Sequence, residues 1–463
     1  MPNTIALLAV LVWPVLSLLL YRKYSALTAT FWTIFGAYMF LPQKVAFVLP
    51  ILPNIDKQNV AAYSALIGCL LIKKVKFRFP PTFGSKLLLV TGLLISSLTV
   101  LTNLDPVFTG VRVKPALSPK DLISMTFQVA FALVPFVLAS ILVRDIKDGI
   151  KVLRLVAIAG ILYSPLMIIE VLLSPQLHTW IYGFFPHAFN QQIRFGGYRP
   201  VVFMGHGLLV ANFSVVVLLA MTGLWKAKQK IFILPNIVFV LYGLFILLIC
   251  KSVGAWLLGT LGFLMLAFLP SRLSTMGSYI LASAVFFYPI LAMFNYIPHD
   301  KLLELAAVFG PDKVGSLGFR FEHEEIMLAH GQEKMLFGWG GWDRNRIDGV
   351  VTDGYWIIKF TQFGLLGYLV FLGLPMLAVK NGKAFLSKIR DPQHAQVCAT
   401  FCVIIAMLMV DQIPNASQHN WVFFMYGAAI GMCANHKFRK PHRRESAERE
   451  PIIGKVQAQA PAQ

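Results

Sequence analysis

Stretches of about 20 mostly apolar residues, each long enough to cross a bilayer, recur along almost the entire chain with short polar punctuation between them. About thirteen can be read, at approximately 4–20, 27–41, 59–72, 87–103, 121–143, 154–173, 201–224, 231–249, 253–269, 278–295, 354–379, 396–412 and 420–435. Backbone amides in hydrocarbon need internal partners, which a helix supplies within one segment. The expected fold is therefore an all-α polytopic membrane protein of about 12–13 transmembrane helices, forming a single membrane domain over residues 1–435.

The charges then acquire a meaning that bulk composition conceals. The chain holds 41 Lys and Arg against 21 Asp and Glu, a formal +20 that on its face invites a nucleic-acid partner. Their placement argues otherwise: Arg22/Lys23, Lys73/Lys74/Lys76/Arg78/Lys86, Arg144/Lys147/Lys151/Arg154, Lys226/Lys228/Lys230, Arg272 and Lys380/Lys383/Lys388/Arg390 fall in alternate connections. With seven more after position 436, 26 of the 41 cations lie on one side. Cations retained on the cytoplasmic side orient a bundle, so the N-terminus is expected outside and the C-terminus in the cytoplasm. No soluble basic face with interleaved aromatics is present, and nucleic acid is not an expected partner. The first apolar run carries its cations after it, the reverse of a cleavable signal peptide, and reads as the first span. Residues 436–463 read as a disordered basic cytoplasmic tail. The five cysteines lie in or at the ends of apolar spans, without a disulfide or zinc spacing. No metal or cofactor is expected.

Two outward connections are too long to be turns, at about 174–200 and 296–353. Near them sit the ionisable residues that a membrane makes costly: Glu170, His206, Lys251, Lys359 and Asp411, all toward the outer ends of spans. Together they suggest an outward polar cavity, although each taken alone also fits a side chain snorkelling to the interface. Arg194 and Arg199 lie in the first loop, and Arg320, Arg344 and Arg346 in the second. Arginine forks bind phosphate oxygens bidentately, which suits a lipid-linked diphosphate at the outer surface. A helix around Arg320 places His323 and Glu324 on the same face, a patch suited to phosphate binding and general-base work. The same spacing also describes a solvated face with an Arg–Glu pair. In FGWGGW, Trp339 and Trp342 either offer flat faces to a sugar ring or anchor the chain at the interface.

The segments FGGYRPVVFMGHG, before a span, and FGWGGWDRNRIDGVVTDGYWIIKFTQFGLLGYLVF, leading into one, flank the long second loop. This block, about residues 190–375, resembles the O-antigen ligase and polymerase superfamily of bacterial envelope glycosyltransferases. The family's polymerases carry an Arg, ten residues and a Gly in each of two outer loops, and Arg194/Gly205 and Arg320/Gly331 fit. The ligase branch places a His at the entrance of the Gly-Leu-Leu-Gly span, whereas this chain reads Thr352-Asp353-Gly354-Tyr355 there. Asp353 is the substitute candidate.

The resemblance implies a C-type glycosyltransferase-like fold in the bacterial inner membrane. Such an enzyme transfers glycan from an undecaprenyl-diphosphate-linked donor to an acceptor hydroxyl, on glycan or lipid A core, at the periplasmic face. Arg194, Arg199 and Arg320, with Lys359, would hold the diphosphate, and Asp353 or His323 would take the acceptor proton. No metal is required if the arginines stabilise the leaving group. Polymerase and ligase differ only in acceptor. A transporter or flippase for a lipid-linked oligosaccharide or an anion is the alternative, one that usually shows two related halves and midplane charges. Neither is evident here.

Overall fold

A computed structural model of the chain describes residues 1–49, 53–109, 112–308, 310–341, 343–351, 353–416 and 418–436. The first half contains α1 (Thr4–Lys23), α2 (Ala26–Phe40), α3 (Lys57–Ile67, extended by a π-helical turn Gly68–Ile72), α4 (Phe83–Leu101), α5 (Pro119–Leu142) and α6 (Ile146–Leu173). A short helix, α7 (Leu177–Tyr182), precedes α8 (Gly207–Lys226), α9 (Asn236–Ile249), α10 (Val253–Phe268) and α11 (Ser271–Met293). Two helices of the second long connection, α12 (His299–Ala307) and α13 (Pro311–Glu333), lead to α14 (Tyr355–Leu386), α15 (Pro392–Asp411) and α16 (Asn420–Asn435). Each apolar stretch expected to span coincides with a helix, and eight of the described helices are long and apolar enough to cross a membrane. The architecture is that of an all-helical, multi-pass membrane protein.

Burial grades from the centre outward. α8, α15 and α16 are buried along most of their lengths, whereas α1 turns Ile5, Leu8, Leu11, Val15 and Leu19 outward. That outward surface suits hydrocarbon, where packing and not water exclusion holds helices together. Small residues make the closest approach possible. A Cβ on Gly427 would stand 2.1 Å from the Phe136 carbonyl oxygen, and one on Gly431 2.6 Å from that of Ser140. α16 thereby lies directly on α5.

Three departures from the sequence expectation bear on the site. First, α8 begins at Gly207 and not at 201, because the preceding amides are taken by a buried carboxylate described below. Second, two further connections on the loop-rich face are built segments. β1 (Ala46–Phe47) pairs with β2 (Ile55–Asp56), and β3 (Val107–Thr109) with β4 (Arg112–Lys114), both antiparallel. Third, apart from His436, the expected tail 436–463 lies outside the described residues.

Candidate functional site

The site is best built from Glu170, the costly carboxylate at the end of α6. It is buried and faces no cation: Oε2 accepts from the Val201 and Val202 amides at 2.7 and 2.6 Å, and Oε1 from Leu177 N at 3.0 Å. The Lys57 ammonium donates to the Phe203 carbonyl at 2.6 Å, and Gln43 Nε2 to that of Met204 at 2.8 Å. Residues 201–204 are thus held by backbone contacts from three directions, and Glu170 serves the shape of the site. Glu170→Ala leaves three buried amides without acceptors, and is expected to destabilise the protein by about 3 kcal/mol or more. Chemical unfolding in detergent measures this; a change under about 0.5 kcal/mol, the level of ordinary surface substitutions, would remove the anchor role.

What this anchoring presents is a cluster of cations. β5 (Ile193–Arg194) and β6 (Gly197–Tyr198) form a tight antiparallel hairpin whose turn residues Phe195 and Gly196 both have positive φ. Arg194 is exposed on it. Arg199, next after β6, is only 4% exposed, and its Nε and Nη2 have no hydrogen-bond partner among the described residues. Its neighbours add positive charge. The Lys251 ammonium packs against Gly197, where a Cβ would lie 2.1 Å from Nζ. His206 caps α8, its Nδ1 accepting from Leu208 N at 3.0 Å, and its ring meets that of His187 at 4.6 Å. Among the described residues no ion pair involves Arg194, Arg199 or Lys251. Burial and then Arg194 lower the Arg199 pKa to about 10, so the guanidinium stays charged at neutral pH. Burial, His187, Arg199 and Arg194 hold the His206 imidazole at about 3, hence neutral. A buried guanidinium with two unused donors, beside Arg194 and the N-terminus of a 20-residue helix, has the donors and the charge that an oxyanion would need.

The second cluster lies where α13 meets α11 and α14. Arg320 Nε reaches Asp353 Oδ2 at 3.4 Å, and His323 Nδ1 accepts from the Val351 amide at 3.1 Å. Glu324 does not pair with Arg320 as the i,i+4 spacing suggested. Its Oε1 accepts from Tyr288 OH at 2.7 Å and its Oε2 from Trp356 Nε1 at 3.3 Å. Burial raises the Glu324 pKa to about 7, with the two hydrogen bonds opposing the rise. Lys359 stands apart from these groups: half-buried in α14, it donates to Gln362 Oε1 at 2.9 Å beside the rings of Tyr355, Phe363 and Phe371.

The Gly/Trp run is spliced into a break in α14. Gly364 has φ 66° and ψ −164°, a region open essentially to glycine, and the carbonyls of Thr361 and Gln362 are released from the helix. They accept from Trp339 N and Gly340 N at 2.8 and 2.9 Å, while Leu365 N donates to the Met335 carbonyl at 2.7 Å. Gly338 lets this backbone approach α14, since a Cβ there would meet Gln362 at 2.5 Å. Arg344, 1% exposed, locks the run to the segment 102–118. Nε donates to the Trp339 carbonyl at 3.1 Å, Nη1 to that of Pro115 at 2.5 Å, and Nη2 to Asn103 Oδ1 and the Asp105 carbonyl at 3.2 and 3.1 Å. It is therefore committed to protein acceptors and not to phosphate. Trp339 is 9% exposed, with its ring stacked on His330 at 4.6 Å and its Nε1 donating to the His330 carbonyl. It borders an open cleft of about 940 Å³ that Arg112, Glu333 and Asp348 also line. Trp342 lies outside the described residues.

The structure thus brings Arg194 to Arg199, and Arg320 to Asp353 and His323. Among the described residues no hydrogen bond or ion pair joins the two groups, and Asp411 has its own partner in Asn415 at 2.8 Å. Sequence reading missed the role of segment 102–118. The alternation in VFTGVRVK around a Thr-Gly pair was the available hairpin signal. Among the described residues no group of three or more His, Cys, Asp or Glu converges as metal ligands would. No protein-family model matches the chain, and no curated protein shows significant similarity to it.

Proposed function

We infer that the protein is a membrane glycosyltransferase of the O-antigen polymerase or ligase type, acting in the bacterial inner membrane with its loop-rich face toward the periplasm. The donor in this reading is a glycan on undecaprenyl diphosphate, and the acceptor is a hydroxyl of a growing glycan or of lipid A core. One observation carries it: Arg199, a buried guanidinium with two unused donors and cations for neighbours. A protein keeps such an arrangement at a cost in stability, and an incoming oxyanion relieves that cost. A diphosphate on a lipid reaches this depth from the membrane side without a soluble nucleotide pocket.

Arg199 and Arg194 would bind the diphosphate and stabilise the charge that develops as it leaves. Arg320, held by Asp353, provides a second cation beside groups able to accept a proton, Asp353 among them. Lys359, bonded to Gln362 Oε1 within α14, would be a further cation for the diphosphate. The transporter alternative draws on broken helices whose free carbonyls take ions. At the α14 break, Thr361 and Gln362 already accept from Trp339 and Gly340, which favours the enzyme.

The test is reconstitution of the purified protein with an undecaprenyl-diphosphate-linked oligosaccharide and a glycan acceptor. Release of undecaprenyl diphosphate with matching glycan extension supports transfer. Movement of the lipid across the vesicle without extension, whatever the acceptor, replaces this reading with transport.

A further inference from the structure

We propose that Glu324 is the group that takes the proton of the acceptor hydroxyl, an assignment that rests on the glycosyl-transfer reading and names the base of its second cluster. The neighbouring candidates are less well placed. Asp353 is exposed and is held through one oxygen, by Arg320 at 3.4 Å. His323 accepts from the Val351 amide through Nδ1, so its neutral ring carries hydrogen on Nε2 and has no vacant lone pair. Glu324 differs from both. It lies one helical turn beyond Arg320 on the same side of α13, so a phosphate or sugar oxygen held by that guanidinium is within its neighbourhood. Tyr288 and Trp356 fix its orientation with one hydrogen bond to each oxygen, leaving about two of its four acceptor positions free.

The surroundings also set its proton affinity. From α11 it faces Tyr288 and from α14 Trp356, while α12 directs His299 onto Phe321 and not onto this carboxylate. On its own helix the nearest charged or titratable neighbours on that side are Arg320 and His323. Burial places its titration near pH 7, where a general base is most effective.

The step balances without a redox partner. A lone pair of the acceptor oxygen forms the bond to the anomeric carbon of the donor sugar. The bond from that carbon to the diphosphate oxygen breaks, and its electron pair leaves with the lipid diphosphate. The hydroxyl proton passes to Glu324, which becomes neutral and later returns it to water.

The experiment follows the rate of glycan extension by the reconstituted protein between pH 5 and pH 9, using the undecaprenyl-diphosphate oligosaccharide as donor. Wild type is expected to lose activity as pH falls through about 7, because the base must be ionised. Glu324→Gln is expected to lower the rate about 100-fold or more, the contribution typical of a positioned base. Tyr288→Phe removes a donor that favours the ionised carboxylate, so its acid limb is expected at higher pH than that of wild type. A merely structural Glu324 would lower the rate without moving the limb. Wild-type extension together with an undiminished Glu324→Gln rate overturns this assignment alone, as does an unmoved limb in Tyr288→Phe. Should Glu324→Gln fail to fold, the limb in Tyr288→Phe decides. Absence of extension by wild type overturns both this assignment and the function it rests on.

Discussion

Replacing Arg344 with alanine is expected to destabilise the protein by about 4 kcal/mol, the largest single effect among the loop cations. The reason is the number of acceptors it serves. Three backbone carbonyls and the Asn103 side-chain oxygen lose their donor at once, and the Trp339 and Asn103 acceptors lie in buried residues. The damage is not local to residue 344. The guanidinium shares the tie between the segment 102–118 and the Gly/Trp run with Asn103, whose Nδ2 donates to the Gly338 carbonyl at 2.9 Å, while the Lys114 ammonium donates to the carbonyls of Asp343 and Arg346 just beyond the run. Arg344→Ala should therefore expose the 102–118 region to limited proteolysis in detergent, before global unfolding. Arg344→Lys is expected to recover little, since an ammonium cannot reach four acceptors arranged around a planar fork. Wild-type protease resistance in Arg344→Ala would contradict the locking role.

Arg199→Met is expected to do the opposite to stability while abolishing function. The ligand-free protein buries an unpaired cation here, and an apolar side chain of similar length relieves that burden. Unfolding in detergent is expected to become harder by about 2 kcal/mol, in line with replacement of buried ionic groups by hydrophobic ones. Glycan transfer is expected to fall by about 100-fold or more, the loss seen when one preorganised oxyanion donor is removed. Gain in stability and loss of activity by one substitution is the signature of a residue kept for binding. If Arg199→Met is instead as destabilised as Arg344→Ala, Arg199 is an ordinary structural arginine whose partner lies elsewhere.

These two arginines show what a sequence can and cannot disclose. Both stand in outward loops, and by residue type alone both were candidates for phosphate. Arg344 was disqualified by backbone carbonyls at positions 105 and 115, more than two hundred residues earlier, whose approach no local pattern announces. The spans were legible because each apolar run is its own signal and needs no partner to identify it. The pairing of Glu324 was not. An i,i+4 spacing joined it to Arg320, but Tyr288 and Trp356 come from α11 and α14, and tertiary contact outweighed helical proximity. In FGWGGW a glycine serves close backbone approach. The partner at Gly338 is α14 itself.

Glu170 holds Val201 and Val202, between the hairpin around Arg194 and the cap at His206, so the cation cluster is flanked by a fixed backbone. Preparation of that kind lowers the cost of ordering the site on binding. In the proposed reading, the headgroup, and not the glycan or the lipid tail, would be the part of the donor that the cluster reads.

The most direct test of that centre is the affinity of a short isoprenyl diphosphate, such as farnesyl diphosphate, for the detergent-purified protein and for Arg199→Met, with inorganic diphosphate as the lipid-free comparison. Wild type is expected to bind it saturably, and Arg199→Met to show a Kd raised roughly tenfold to hundredfold, as loss of charge-assisted hydrogen bonds implies. Equal affinities in the two proteins would contradict a diphosphate centre at Arg199.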